Sequence, residues 1–200
     1  MKTRFSRLIL LLQLLLVSFF GVAQTVKSPT NDHWNNNIYT NSFYNFKVEF
    51  PKGWETDNGA SQRTLARVFN REFGASFSVQ VINLPAPFKN SNDIWKSLSK
   101  DDMLAVLKIE TNNDMFKKVS NIKVSQGYLS SEHAYLVELI HEASSQQRTF
   151  TYLIKQIRCF KKGKQYQITF TLPVIYNTND MQVIYNRVID SFVFYVNPGN

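Results

Sequence analysis

Two hundred residues carry 23 lysines and arginines against 15 acids, a formal net charge of +8. The single cysteine, Cys159, excludes an internal disulfide. A chain of this length buries enough of its own surface to hold together as one domain without covalent staples.

Met1 to Arg7 is short and basic, Leu8 to Phe20 is apolar except at Gln13 and Ser18, and Gly21-Val22-Ala23 supplies small residues before a scissile bond. That order reads as a secretory signal peptide over residues 1–23. Its apolar core falls short of the about 20 residues of a spanning helix, and no second stretch of that length follows. The expected product is exported, periplasmic or secreted, with no transmembrane segment in the mature chain. Cys159 lies far from the cleavage site, so it is not the lipid-bearing cysteine of a lipoprotein. Cleavage would remove Lys2, Arg4 and Arg7 and lower the net charge from +8 to +5.

Residues 24–41 are polar and asparagine-rich and read as a flexible leader, with Trp34 and Tyr39 expected to fold back on the domain. A single domain is expected over 42–196. It opens with a strand at Asn45 to Phe50, whose Phe46, Val48 and Phe50 share one face; Pro51-Lys52-Gly53 ends it, and Trp54 closes one end of the core. Thr64 to Phe69 and Phe77 to Leu84 read as two further strands. Ser99-Lys100-Asp101-Asp102 resembles a capping box before Met103, Leu104, Val106 and Leu107, with Ile94, Trp95 and Leu98 forming a shorter turn of helix ahead of it.

Four strands follow, at about Ile122 to Leu129, His133 to Glu142, Arg148 to Phe160 and Gln165 to Leu172. The middle two are apolar at both parities, as strands covered above and below are. Lys161-Lys162-Gly163-Lys164 reads as a hairpin turn. A cap at Thr178 or Asn179 precedes Met181, Ile184, Tyr185, Val188, Ile189 and Phe192, the apolar stripe of an amphipathic helix. The elements predict an α/β/α sandwich: a mostly antiparallel central sheet of about six or seven strands and a C-terminal amphipathic helix.

Phe46-Lys47-Val48-Glu49-Phe50-Pro51-Lys52-Gly53-Trp54 resembles the opening strand and Pro-x-Gly-Trp turn of the PsbP-like group, and Val188-Ile189-Asp190-Ser191-Phe192 resembles its closing helix with a Ser-Phe pair. The group is named for an extrinsic subunit of photosystem II and includes a Ran-binding nuclear protein and many exported bacterial proteins. The resemblance spans roughly residues 42 to 194 and implies a non-enzymatic accessory or binding domain. It carries no functional residue onto this chain.

Catalytic patterns are missing from the sequence. Gly74-Ala75-Ser76-Phe77-Ser78 lacks the second glycine of a nucleophile elbow, and there is no phosphate-cradling glycine loop, His-Glu-x-x-His helix or Cys-x-x-Cys pair. His133 and His141 share a strand face, but eight residues at about 3.4 Å each separate them by roughly 27 Å. They cannot share a metal ion. Cys159 reads as a buried thiol, and Asp101-Asp102 as acids favoured by a helix start. No catalytic, cofactor or metal residue is assigned.

The basic residues carry the remaining signal. Lys155, Arg158, Lys161, Lys162 and Lys164 gather around one hairpin, and Lys117, Lys118 and Lys123 near another strand start. Brought together, they would attract an acidic envelope protein or an anionic envelope component. Nucleic acid is excluded as a target by export and by the absence of a recognition motif. The expected function is that of an exported, non-enzymatic accessory or binding protein acting through its surface. Two alternatives stand beside it: a small-ligand, lipid-like carrier with a mostly apolar cavity between helix and sheet, and a secreted hydrolase with catalytic groups drawn from distant segments.

Overall fold

The computed structural model describes residues 32–57, 64–84, 99–111, 119–145 and 148–196. The expected signal peptide, the leader up to residue 31 and the turn of helix at Ile94 to Leu98 lie outside the described residues.

Among the described residues the strands and α-helices follow in order: β1 (Asp32–Asn35), β2 (Ile38–Asn41), β3 (Phe46–Glu49), β4 (Glu55–Asp57), β5 (Thr64–Asn70), β6 (Ala75–Asn83), α1 (Lys100–Thr111), β7 (Val119–Leu129), β8 (Glu132–Ser145), β9 (Arg148–Lys161), β10 (Lys164–Pro173), α2 (Asn179–Ser191) and β11 (Val193–Phe194). A seven-stranded sheet runs β4-β5-β6-β10-β9-β8-β7, and a four-stranded sheet runs β1-β2-β3-β11. Every pairing is antiparallel. The architecture is an α+β sandwich whose large sheet has seven strands, where about six or seven were expected; β4, which the sequence did not mark, is one of them.

Alternation along the strands divides the core in two. On one face of the large sheet, Phe77, Val79, Ile157, Cys159, Tyr166, Ile168, Phe170 and Leu172 pack with Met181, Tyr185, Val188 and Ile189 of α2 and with Tyr39, Phe46 and Val48 of the small sheet. On the other, Tyr135, Val137, Leu139 and Phe160 pack with Met103 and Leu107 of α1. Both faces carry a helix. The first face also carries the small sheet, and that is where the opening strand β3 lies, not in the large sheet.

The helix starts follow the sequence pattern. The Ser99 Oγ accepts from the Asp102 N–H at 3.1 Å, while the Asp102 carboxylate accepts from the Ser99 N–H at 2.9 Å, a reciprocal capping box. Thr178 caps α2 by accepting from the Met181 N–H. At the β9–β10 turn, Lys162 and Gly163 both take positive φ (48° and 69°), the requirement of a two-residue type I′ hairpin.

The expected flexible leader over 24–41 needs correction. Residues 32–41 form the β1–β2 hairpin, so the fold starts by Asp32, not at residue 42. Asn36 turns the hairpin in the left-handed region that asparagine tolerates. Trp34 meets Tyr39 at 5.1 Å and Phe50 at 5.7 Å between ring centroids, and Tyr39 is wholly buried. Buried Asn41 donates to Asp32 at 2.6 Å and accepts from the Tyr44 N–H at 2.8 Å. Here the asparagines are turn formers and buried hydrogen-bonding groups.

Candidate functional site

The five hairpin cations do not face one way. Lys155 points to the α2 face, where it pairs with Glu138 at 3.4 Å, donates to Gln182 and lies 5.1 Å from the centre of the Tyr185 ring. Arg158 lies three positions on, on the opposite face. It is 7% exposed and donates to Gln156 from Nε at 3.1 Å and Nη2 at 2.7 Å. Lys161 is held by Glu132 at 2.5 Å and covers the Phe194 ring at 4.3 Å. Lys162 is exposed at the turn and Lys164 is half-buried beside it; neither meets a carboxylate among the described residues. Lys123 pairs with Glu138 at 3.4 Å, while Lys117 and Lys118 lie outside the described residues.

The groups considered for catalysis stand apart in the fold. Cys159 is fully buried on the α2 face, opposite Ala134 and Tyr166. The His133 ring meets Tyr135 at 5.2 Å and Tyr128 at 6.3 Å, and His141 lies opposite Tyr152 near the far end of the same strand. Asp102 is engaged in the α1 cap. Among the described residues no group of three or more histidines, cysteines or acids could hold a metal ion.

A cavity of about 610 Å³ opens between the two sheets, lined by Asn36, Asn37, Ile38 and Glu49 to Trp54, with Thr56 and Val68 from the large sheet. The resemblance motif around Trp54 therefore forms its rim. Phe50 and Val68 are buried; Asn36, Glu49, Lys52 and Thr56 are exposed. The Asn37 amide bridges the edge, donating to the Phe50 carbonyl at 2.6 Å and to Glu49 Oε1 at 3.2 Å. Gly53 takes φ of 80°, which lets the chain swing Trp54 onto Phe77 at 5.6 Å. Sequence reasoning missed this cavity because one of its walls, Asn36 to Ile38, comes from the hairpin read as leader. The signal available was the pair of asparagines at Asn36-Asn37 between two aromatics.

The other motif acts from behind. The Ser191 Oγ accepts from the Glu49 N–H at 2.9 Å, and Phe192 stacks on Phe46 at 5.1 Å. The Ser-Phe pair thus fastens the end of α2 to β3. Burial pushes the Tyr166 and Tyr185 hydroxyls of this core up to about 12, and that of Tyr135 on the α1 face likewise.

No family model and no curated protein matches the chain. Among solved structures, it is similar to the PsbP of the cyanobacterium Synechocystis sp. PCC 6803 (CyanoP), with 15% identity over 81% of this chain and 95% of that one and a TM-score of 0.53. LpqN of Mycobacterium tuberculosis, involved in cell envelope biogenesis, aligns at 10% identity over 76% and 83% with a TM-score of 0.46. The Ran-binding protein Mog1p of Saccharomyces cerevisiae aligns at 8% over 81% and 96% with 0.47. The match to CyanoP, the two sheets and the helix on each face agree with the motifs at Trp54 and Ser191: this chain has the PsbP-like fold.

Proposed function

We propose that the chain is an exported, non-enzymatic accessory protein that works by binding, and that the tip of the β9–β10 hairpin contacts an acidic envelope protein or an anionic envelope component. The observation that carries this reading is the state of the lysines there. Lys161 is anchored by Glu132 and Phe194, whereas Lys162 and Lys164 meet no carboxylate among the described residues. Two unneutralised ammonium groups beside a rigid turn attract negative charge without first breaking an ion pair. Among the described residues no helix is long and apolar enough to cross a membrane, so contact with the envelope would be made from its surface.

The test is binding to phosphatidylglycerol vesicles and to isolated envelope material at low salt. Replacing Lys162 with Asn, which tolerates the left-handed turn, and Lys164 with Gln removes two cations. At about 1 kcal/mol per lysine, binding should weaken by roughly thirtyfold. Unchanged binding would reject the hairpin as the contact.

A further inference from the structure

The cavity between the sheets lies about 20 Å from the hairpin tip when six residues are counted along β10 from Lys164 to Phe170, in the row of Phe77 and Val68. At about 610 Å³ it falls within the range of small-ligand sites. We propose that it binds a neutral saccharide, either free or as the terminal unit of a glycan.

The charges on the lining exclude the simpler classes. Among the described residues of the lining Glu49 is the one carboxylate and Lys52 the one ammonium, so their formal charges cancel. An anion entering would meet Glu49 and a cation would meet Lys52. The exposed rim is also wrong for an acyl chain, which needs an apolar lining throughout. What the rim does offer is a mixed set of donors and acceptors. The Asn36 amide and the Lys52 ammonium have no partner among the described residues. Glu49 uses Oε1 to accept from Asn37, leaving Oε2 as an acceptor beside an amide donor. A hydroxyl both donates and accepts, so neighbouring hydroxyls on a ring match a carboxylate next to an amide. The partly exposed Trp54 adds an aromatic ring against which the C–H face of a sugar ring packs, with its indole N–H as a further donor.

The site is also held in place. Ser191 binds the backbone of Glu49, Asn37 binds the Phe50 carbonyl, and Trp54 rests on Phe77. The backbone at Glu49 and the side chains of Asn37 and Trp54 therefore keep their positions without a ligand, which lowers the ordering cost of binding.

The experiment is an NMR titration of the isotope-labelled protein with chitotriose, cellotriose and maltotriose, with alanyl-alanine and galacturonic acid as the zwitterionic and anionic arms. A shallow polar site binds weakly, so ligands are carried to about 20 mM. At least one neutral trisaccharide should shift the Trp54 indole resonance saturably. Glu49→Gln and Asn36→Gly should each weaken that binding about fivefold, the value of one hydrogen bond. Lys52→Gln should change it less than about threefold, since the amide keeps a donor while a neutral ligand has no charge for the ammonium to attract. The corresponding monosaccharides separate a free sugar from a glycan end: equal affinity assigns the former, loss of binding the latter. The proposal is overturned if no saccharide shifts the Trp54 signal, if either charged arm binds more tightly than every neutral sugar, or if both rim variants bind as the parent does. Trp54 itself is left intact because its contact with Phe77 belongs to the core.

Discussion

The two faces of the large sheet solve the same problem differently. Beneath α2 and the small sheet, apolar side chains run across β6 and β10 to Ile157 and Cys159 of β9, and the rings of Phe77 and Phe170 stack at 4.5 Å. On the α1 face the described apolar cluster comes mainly from β7, β8 and β9, with Leu84 after β6. Further across, the same face turns polar. Gln80, Gln167 and Arg158 stand in one row, and Gln165, Gln167 and Thr169 form a chain of side-chain hydrogen bonds at 3.1 Å each. A strand pattern that alternates cleanly in β10 and not in β8 sets this asymmetry. The α2 face therefore holds the fold together, and the α1 face is its thinner side.

The sharpest way to break that comparison is to cut into each face. Phe170→Ala should cost about 4 kcal/mol and Leu107→Ala about 2.5, because a stacked aromatic leaves the larger cavity. Urea denaturation measures both, and equal losses would mean that the α1 side is no thinner. A second contrast is alkaline. The hydroxyls of Tyr166 and Tyr185 on the strong face and Tyr135 on the other are raised to about 12 by burial, and unfolded tyrosine titrates near 10. Folding then favours the protonated form. Their contribution is complete below pH 10 and is lost as pH rises towards 12. Replacing Tyr166 and Tyr185 together with phenylalanine should move alkaline unfolding to higher pH more than Tyr135→Phe does, followed by circular dichroism.

Smaller effects sharpen the picture locally. A methyl at Gly127 would lie 2.4 Å from Leu136 Cδ1, and Gly127→Ala should cost about 1 kcal/mol as that side chain gives way. Ser99→Ala removes the α1 cap, and a loss of about 1 kcal/mol should appear in thermal melts. Lys161→Met should change stability by less than about 0.5 kcal/mol, as one partly exposed pair contributes little.

Strands with long alternating runs and the α2 stripe were legible because their periods recur over many residues. So was the α1 cap, a local motif with a local mechanism. The short strands β1, β2, β4 and β11 were not: unlike β3, none shows a clean apolar alternation, and β11 gains its pairing from β3 at the other end of the chain. Asn41 shows the difficulty: in sequence it is one more polar residue of a leader, and in the fold it is buried against Tyr39 and Asp32. The basic cluster was legible as composition only. Lys155 and Arg158 are three apart, and an odd separation on a strand sends them to opposite faces.

The bond between Ser191 and Glu49 joins positions 142 residues apart. The pairing of β11 with β3 spans a similar distance. Each closes a loop that takes in most of the chain, the kind of contact whose entropy must be met before it gives anything back. The small sheet accordingly lacks its last strand until the final segment has been made. A polypeptide built in this way stays unlocked until its C-terminal segment is present, and only then latches shut.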